Sequence, residues 1–340
     1  MKLDRKVEAQ GSPNWKVRTV AAVAGILIIA ASAWRSEAPQ DKSAKITKIR
    51  VASTDTLVNA TPFFVADKLG YFKEAGLNVE YFAMSGGAAP LAAAMRSGQL
   101  DVSLGAASQF MADIARGVSK GKIIGEFVDN SYNIIGGKGI NSVEQLKGKI
   151  FGVVSYNSGD QIYSIATLPR FGIRDRDVTW LPLGSPPARL AALSTGRVDA
   201  IEIEDTLLTD ALRPQVIVSS DKSPIKFVAT SVFARQDFVD ANRPALSAFL
   251  RAIGRASVWI KANPDKALPM CVHGGASLAA CTNAIKVGTS SKNPYTWSET
   301  TAVNAPAIQS MIAQIGTVVP RANSLSLADF ADTTLAASER

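Results

Sequence analysis

The stretch "GGAAPLAAAMRSGQLDV" (Gly86–Val102) recurs 98 residues later as "GSPPARLAALSTGRVDA" (Gly184–Ala200). Five of the seventeen positions are identical: Gly86/Gly184, Ala93/Ala191, Ala94/Ala192, Gly98/Gly196 and Asp101/Asp199. Each copy reads as a glycine turn, a helix of small residues, a glycine stop and a new strand. Writing the phrase twice predicts an α/β chain with two lobes, each a mostly parallel sheet flanked by helices. In such sheets ligands bind beyond the carboxyl ends of the strands, where the glycine end of each phrase lies. A helix N-terminus there offers free N–H groups and favours an anionic or acceptor group by about 0.3–1 kcal/mol when exposed. Gly86, Gly87, Gly184 and Ser185 are therefore ligand candidates, whereas Gly98 and Gly196 read as helix stops.

Outward from the first copy, "ITKIRVA" and "NVEYFAM" read as strands. Between them "TPFFVADKLGYFKEAGL" reads as a helix, with Thr61 at its N-cap and Pro62 at its first position. "DVSLGA", "SQFMADIARG" and "KIIGEFVD" continue as strand, helix and strand. The pattern restarts at "SVEQLKGK", where Ser142 and Gln145 have capping-box spacing. "IFGVV", "VTWLPL", "VDAIEI" and "QVIVSS" are strands, with "SGDQIYSIATLPRFGI" a turn into a helix. "KFVATSVFARQ" is a strand without obvious neighbours, and "RPALSAFLRAIGRASVWIKANP" is an amphipathic helix. The chain is expected to cross between lobes near Val128–Ile134 and Pro224–Val232. That divides it into a first lobe (46–128), a second lobe (129–224) and a return to the first lobe with C-terminal helices (225–340).

The net charge of +8 comes from 37 Lys and Arg against 29 Asp and Glu, scattered singly rather than gathered with aromatics, which argues against nucleic-acid binding. Residues 1–33 hold five of the positive charges against two negatives. They include part of an uncharged run of sixteen residues, Thr19–Trp34, which falls short of the ~20 needed to span a bilayer comfortably. With "ASA" at Ala31–Ala33, residues 1–33 read as a signal peptide or an uncleaved membrane anchor, followed by a linker over 34–45. Either places the remainder outside the cytoplasm. The only cysteines, Cys271 and Cys281, are then expected to form a disulfide. A metal site with the sole histidine, His273, would lack any carboxylate and is a poor alternative, so no metal or cofactor is expected.

From "PFFVADKLGYFKEAGLNVEYFAMSGGAAPLAAAMRSGQLDVSLGAASQ" to "VFARQDFVDANRPALSAFLRAIGRASVWIKANPDKA", roughly residues 46–268, the chain resembles the nitrate/sulfonate/taurine-type substrate-binding proteins of ABC importers, a group that includes pyrimidine-precursor binders. The resemblance implies a type II periplasmic-binding-protein-like fold that closes on a solute by two hinge crossovers and then docks on a membrane permease. It places first-lobe contacts at Asn59, Thr61, Ser85, Gly86, Gly87, Ser108 and Gln109. Second-lobe contacts fall at Ser158, Gly159, Asp160, Gly184, Ser185, Glu204 and Asp205. Thr61 and Ser108 have an alternative as helix caps, and Asp160 as a first-turn acid. The acids of "EIED" (Glu202–Asp205) either sit on a solvated rim or, if Glu204 turns inward, meet an amine or amidine on the solute. Arg189, one turn into its helix, could reach in.

The expected function is an extracytoplasmic, monomeric solute-binding component, with an aliphatic sulfonate or taurine-like solute first and an aminopyrimidine or aromatic acid as alternatives. A membrane-tethered sensor using the same clamp is a competing class. Catalysis is disfavoured: there is no G-x-S-x-G elbow, no His-Glu zinc motif and no phosphate loop, "GGKGINS" lacking the spacing. Pyrimidine-synthesis enzymes share the resemblance, but their cysteine-rich motif is absent.

Overall fold

The computed structural model describes residues 47–53, 57–84, 88–290 and 297–336. The expected leader, the linker and Ser85–Gly87 lie outside the described residues. In the first lobe the elements run β1 (Thr47–Ser53), α1 (Thr61–Lys68), α2 (Tyr71–Glu74), β2 (Leu77–Ala83), α3 (Ala88–Arg96), β3 (Val102–Gly105), α4 (Ala107–Ala115) and β4 (Gly121–Asp129). The second lobe holds β5 (Tyr132–Gly136), β6 (Ile150–Val153), α5 (Gly159–Thr167), β7 (Thr179–Pro182), α6 (Pro186–Ser194), β8 (Ala200–Glu204) and β9 (Val216–Val218). The chain returns through β10 (Val228–Arg235) into α7 (Gln236–Ala262), α8 (Pro264–His273), α9 (Leu278–Gly288), α10 (Ala305–Gly316) and α11 (Leu327–Phe330).

The two copies of the repeated phrase are built alike. Gly98 and Gly196 stop α3 and α6 in the left-handed region (φ 76° and 72°), which a side chain would strain. Gln99 N–H then bonds Ala94 O, and Arg197 N–H bonds Ala192 O, satisfying equivalent carbonyls of the last turn. Two residues further, each aspartate locks onto the first parallel strand of its sheet. Asp101 N–H donates to Arg50 O and its carboxylate accepts Arg50 N–H at 2.9 Å. Asp199 makes the same pair of bonds with Ile150, again at 2.9 Å to the carboxylate.

The first sheet has the order β2-β1-β3-β10-β4 and the second β7-β6-β8-β5-β9. In each, the first three strands are parallel. The fourth is the strand that follows a crossover: β10 runs antiparallel between β3 and β4, and β5 antiparallel between β8 and β9. The stretch expected only as a crossing point therefore carries a strand, β5, and the neighbours of "KFVATSVFARQ" are β3 and β4. The helix expected from Thr61 to Leu77 breaks at Gly70 (φ 77°) into α1 and α2. Thr61 is not its N-cap. That position falls to Ala60, and Thr61 is already helical with Pro62 in the first turn. The return helix α7 starts upstream of the expected Arg243 and bends at Asn242 (φ −135°, ψ 28°), where Pro244 removes a helical hydrogen bond.

One apolar core runs through the first lobe and into the α5 side of the second, while the α6 side has a smaller core of its own around Ile135, Leu193 and Ile201. At the crossovers Tyr132, Tyr163 and Phe227 pack with ring centroids 5.2–5.5 Å apart, joining β5, α5 and the approach to β10. The lobes thus meet through apolar packing as well as through the chain. Cys271 and Cys281 form the expected disulfide between α8 and α9.

Candidate functional site

Strand β8 ends at Glu204, and in the β8–β5 ladder Glu204 lies opposite Tyr132. This puts a carboxyl and a phenol side by side at the mouth of the second sheet. Across from them, the turn leading into α1 places Asn59, which is 1% exposed. The Asn59 amide donates to Glu204 Oε2 at 2.6 Å and to Thr230 Oγ1 at 3.4 Å. The Thr206 hydroxyl donates to Asn59 Oδ1 at 3.1 Å. One first-lobe asparagine is therefore held by two residues of the second lobe and one of β10.

The N-terminal turns of α4 and α5 meet beside this cluster. Gly159 is buried against the first lobe, so closely that a Cβ there would lie 3.0 Å from both Ser108 Oγ and the Tyr132 hydroxyl oxygen. Ser108 is fully buried and its hydroxyl has no hydrogen-bond partner among the described residues. Asn59, Ser108, Tyr132, Gly159, Glu204, Thr206 and Thr230 form one interlobe cluster, rich in neutral donors and acceptors and carrying a single half-buried carboxyl.

A second charged group lies behind it. Arg189, Asp160 and Glu202 are all at most 3% exposed. Arg189 Nη1 donates to Glu202 O at 2.6 Å and Glu202 Oε2 at 3.1 Å, with Asp160 Oδ2 at 3.5 Å. Burial works against the Arg189 cation, but Asp160 and Glu202 outweigh it and hold the guanidinium firmly charged. Burial pushes Glu202 well above the usual carboxylate range despite Arg189. Glu204 is likewise held above that range by burial, with the Asn59 amide and Arg189 pulling it back. The Tyr132 phenol is pushed well up by burial and then by the charge of Glu204. Among the described residues no lysine or arginine pairs with Glu204. The arrangement suits a solute group that donates hydrogen bonds or carries positive charge.

The remaining candidates fall elsewhere. Thr61 is buried, its hydroxyl donating to Val58 O at 2.7 Å and Cys271 Sγ at 3.3 Å. Gln109 turns along α4 to Asp113 Oδ1 at 3.1 Å. The Ser158 hydroxyl bonds Ser155 O and Asp160, and Asp160 also accepts Val154 N–H at 2.8 Å, so both side chains are engaged inside the second lobe. Ser108 is not a cap, since Ala106 precedes α4. Gly184 has φ 77° with no atom within 4 Å of a Cβ, so its backbone conformation, not close packing, calls for glycine. Ser185 is exposed at the start of α6. Asp205 points into the second lobe, accepting from Asn133 Nδ2 at 2.9 Å and the Ser220 hydroxyl at 2.6 Å. Of the acids of "EIED", Glu202 and Asp205 are buried and Glu204 is half-buried and turned to Asn59, so they do not sit on a solvated rim. Arg189 is committed to Glu202 and Asp160 rather than reaching in alone. Tyr132, Thr206 and Thr230 were not anticipated in the site.

Residues 58–267 match the NMT1/THI5-like family. This chain belongs to that family. It is 26% identical over 225 residues to 4-amino-5-hydroxymethyl-2-methylpyrimidine phosphate synthase THI13 of Saccharomyces cerevisiae, covering 61% of this chain and 64% of the relative. The chain thus spans less than two thirds of the length of that curated relative. Its fold is that of the alkanesulfonate-binding protein SsuA from Xanthomonas axonopodis pv. citri bound to MOPS (TM-score 0.65, 16% identity, 86% of this chain and 98% of that one). The periplasmic nitrate-binding protein NrtA from Synechocystis PCC 6803 is similarly close (TM-score 0.66, 12% identity, 86% and 89%). This NMT1/THI5-like chain accordingly has the two-lobed periplasmic-binding-protein fold.

Proposed function

We propose that this chain is the extracytoplasmic solute-binding component of an ABC importer, closing its lobes reversibly on a small polar organic solute that carries an amine, amidine or amino-heterocycle. The observation that carries the reading is Glu204. It is an interlobe carboxyl whose close partner is the neutral Asn59 amide at 2.6 Å rather than a cation. A solute N–H donor can take the place of that amide, while Tyr132, Ser108 and Thr230 supply hydroxyls around it. A plain oxyanion finds no such partner, since Arg189 is buried and its charge is already balanced by Glu202 and Asp160. Taurine-like zwitterions and aminopyrimidines both meet the requirement. The aminopyrimidine gains support from the name of the yeast relative, and the sulfonate from SsuA. Delivery to a permease, export by the N-terminal segment and a monomeric state belong to the same proposal.

The test is a thermal-shift and calorimetry panel of taurine, ethanesulfonate, nitrate and 4-aminopyrimidines. A solute at 100 times its Kd adds about 2.7 kcal/mol of stability. Amine-bearing solutes are expected to stabilise the protein, and Glu204→Gln to weaken them about 10-fold or more. Their affinity should fall on acidification at a higher pH than an ordinary carboxyl would give, because Glu204 is raised. Equal binding of ethanesulfonate and taurine would remove the donor-head reading, and conversion of any bound compound to product would remove reversible binding.

A further inference from the structure

The α8–α9 hairpin joins the two lobes at the edge of the candidate site. α8 belongs to the first lobe by packing, since it lies against α1 and α7, and Thr61 donates to Cys271 Sγ. α9 packs mainly on the Asp205–Leu207 turn of the second lobe and also touches the Leu57–Ala60 turn that carries Asn59. Two residues beyond Cys281, the Asn283 amide donates to two carbonyls of that turn, Asp205 O at 3.1 Å and Thr206 O at 2.7 Å. Glu204 and Thr206, which flank Asp205, are the residues that grip Asn59, and Asn59 stands two residues before Thr61. The contacts close a ring: Asn59, the Glu204–Thr206 turn, Asn283, the buried Cys281–Cys271 bond, Thr61 and back. Further along α9 the helix and the second lobe part around a cavity of about 410 Å³ lined in part by Asp205, Leu208, Lys286 and Val287. Lys286 meets Asp210 at 3.4 Å, but both are exposed and the pair contributes little.

We propose that Asn283, held by the disulfide, is a positioning residue for the solute site, and that the hairpin is a third connection between the lobes that keeps the Glu204–Thr206 turn in register with Asn59. Only its effect on affinity rests on the solute-binding reading; the tie between the lobes stands apart from it. Losing the tie frees two carbonyls, lets the turn open locally and speeds solute release more than it slows capture.

The test uses Asn283→Leu, Asn283→Gln and the double variant Cys271→Ala/Cys281→Ala in the full chain, first without solute. Hydrogen exchange is followed at Asp205 and Leu208, whose amides bond Ser131 O and Asp205 O. Asn283→Leu and the double variant are expected to exchange roughly tenfold faster there, with β1 and β6 unchanged, and Asn283→Gln to recover part of the protection. With taurine or a 4-aminopyrimidine bound, the dissociation rate should rise in parallel while its pH profile stays that of the parent. Unchanged exchange at both amides in Asn283→Leu overturns the tie. Faster exchange with an unchanged dissociation rate overturns the positioning role. Faster exchange in a protein whose parent binds none of these solutes sinks the solute reading and leaves the tie standing. Should the double variant fail to fold, the two Asn283 variants decide the question.

Discussion

In the first lobe Asp101 accepts the Arg50 backbone N–H, the Arg50 guanidinium at 2.6 and 2.9 Å and Arg235 at 3.4 Å. In the second lobe Asp199 accepts the equivalent backbone N–H, from Ile150, but its only cation among the described residues is Lys149 at 3.7 Å. The difference traces first to β1 and β6, where Arg50 stands at the position of Ile150, and then to the strands that cross over. At the end of β10, Arg235 N–H bonds Asp101 O; just past β5, Gly137 N–H makes the corresponding bond to Asp199 O. Arginine brings a side chain to its aspartate and glycine brings none. One copy is therefore buried under charge pairs and the other stays half-exposed, although the backbone scheme is shared. Another set of buried acids diverges in the opposite sense. The second lobe balances Asp160 and Glu202 with Arg189. The first buries Glu126 beside Asp129 with Asn304 between them, its N–H on Glu126 at 3.1 Å and its amide on Asp129 at 2.9 Å.

The sharpest way to break this contrast is Arg189→Met, which leaves two acids without their cation. It should cost about 3–5 kcal/mol in urea unfolding. Glu126→Gln should act oppositely. Burial first, then Asp129, raises Glu126 to about 8 from 4.5. Between those values the folded protein holds a proton the unfolded chain has released, so stability falls as pH rises from about 4.5 to about 8. The variant should flatten that slope, by a few kcal/mol at pH 8 and almost nothing near pH 4.5, in thermal melts across the window. Asp101→Ala should cost about 3 kcal/mol and Asp199→Ala about 1 kcal/mol by denaturant unfolding; equal costs would erase the distinction between the copies. Smallest is the glycine comparison. Gly184→Ala should lose about 1 kcal/mol of stability from its left-handed backbone and leave solute affinity alone. Gly159→Ala, crowded by Ser108 and Tyr132, should lose about 1 kcal/mol of stability and also weaken solute binding severalfold.

The repeated phrase made both lobes legible because a glycine stop, a small-residue helix and an aspartate are local signals. β5 and the partners of β10 were not legible, since their pairing joins segments far apart in the chain and no local pattern encodes it. Asn59, Glu204, Ser108 and Gly159 were named from resemblance, and the structure gathers them. Tyr132, Thr206 and Thr230 escaped because they enter the cluster only when the lobes meet. Glu202 and Glu204, two apart on β8, share a face by the strand period, so a solvated rim for both would leave that face of the sheet bare.

The position of β10 also dictates when the first lobe can fold. Its partners in β4 were made roughly a hundred residues earlier, and β3 and β4 do not pair with each other. Residues 47–129 can thus form only a three-strand fragment and a lone strand, each with an open edge. The whole second lobe must be synthesised before the first can be finished. High contact order of this kind slows folding and lengthens the time that unpaired edges are exposed to chaperones or to aggregation.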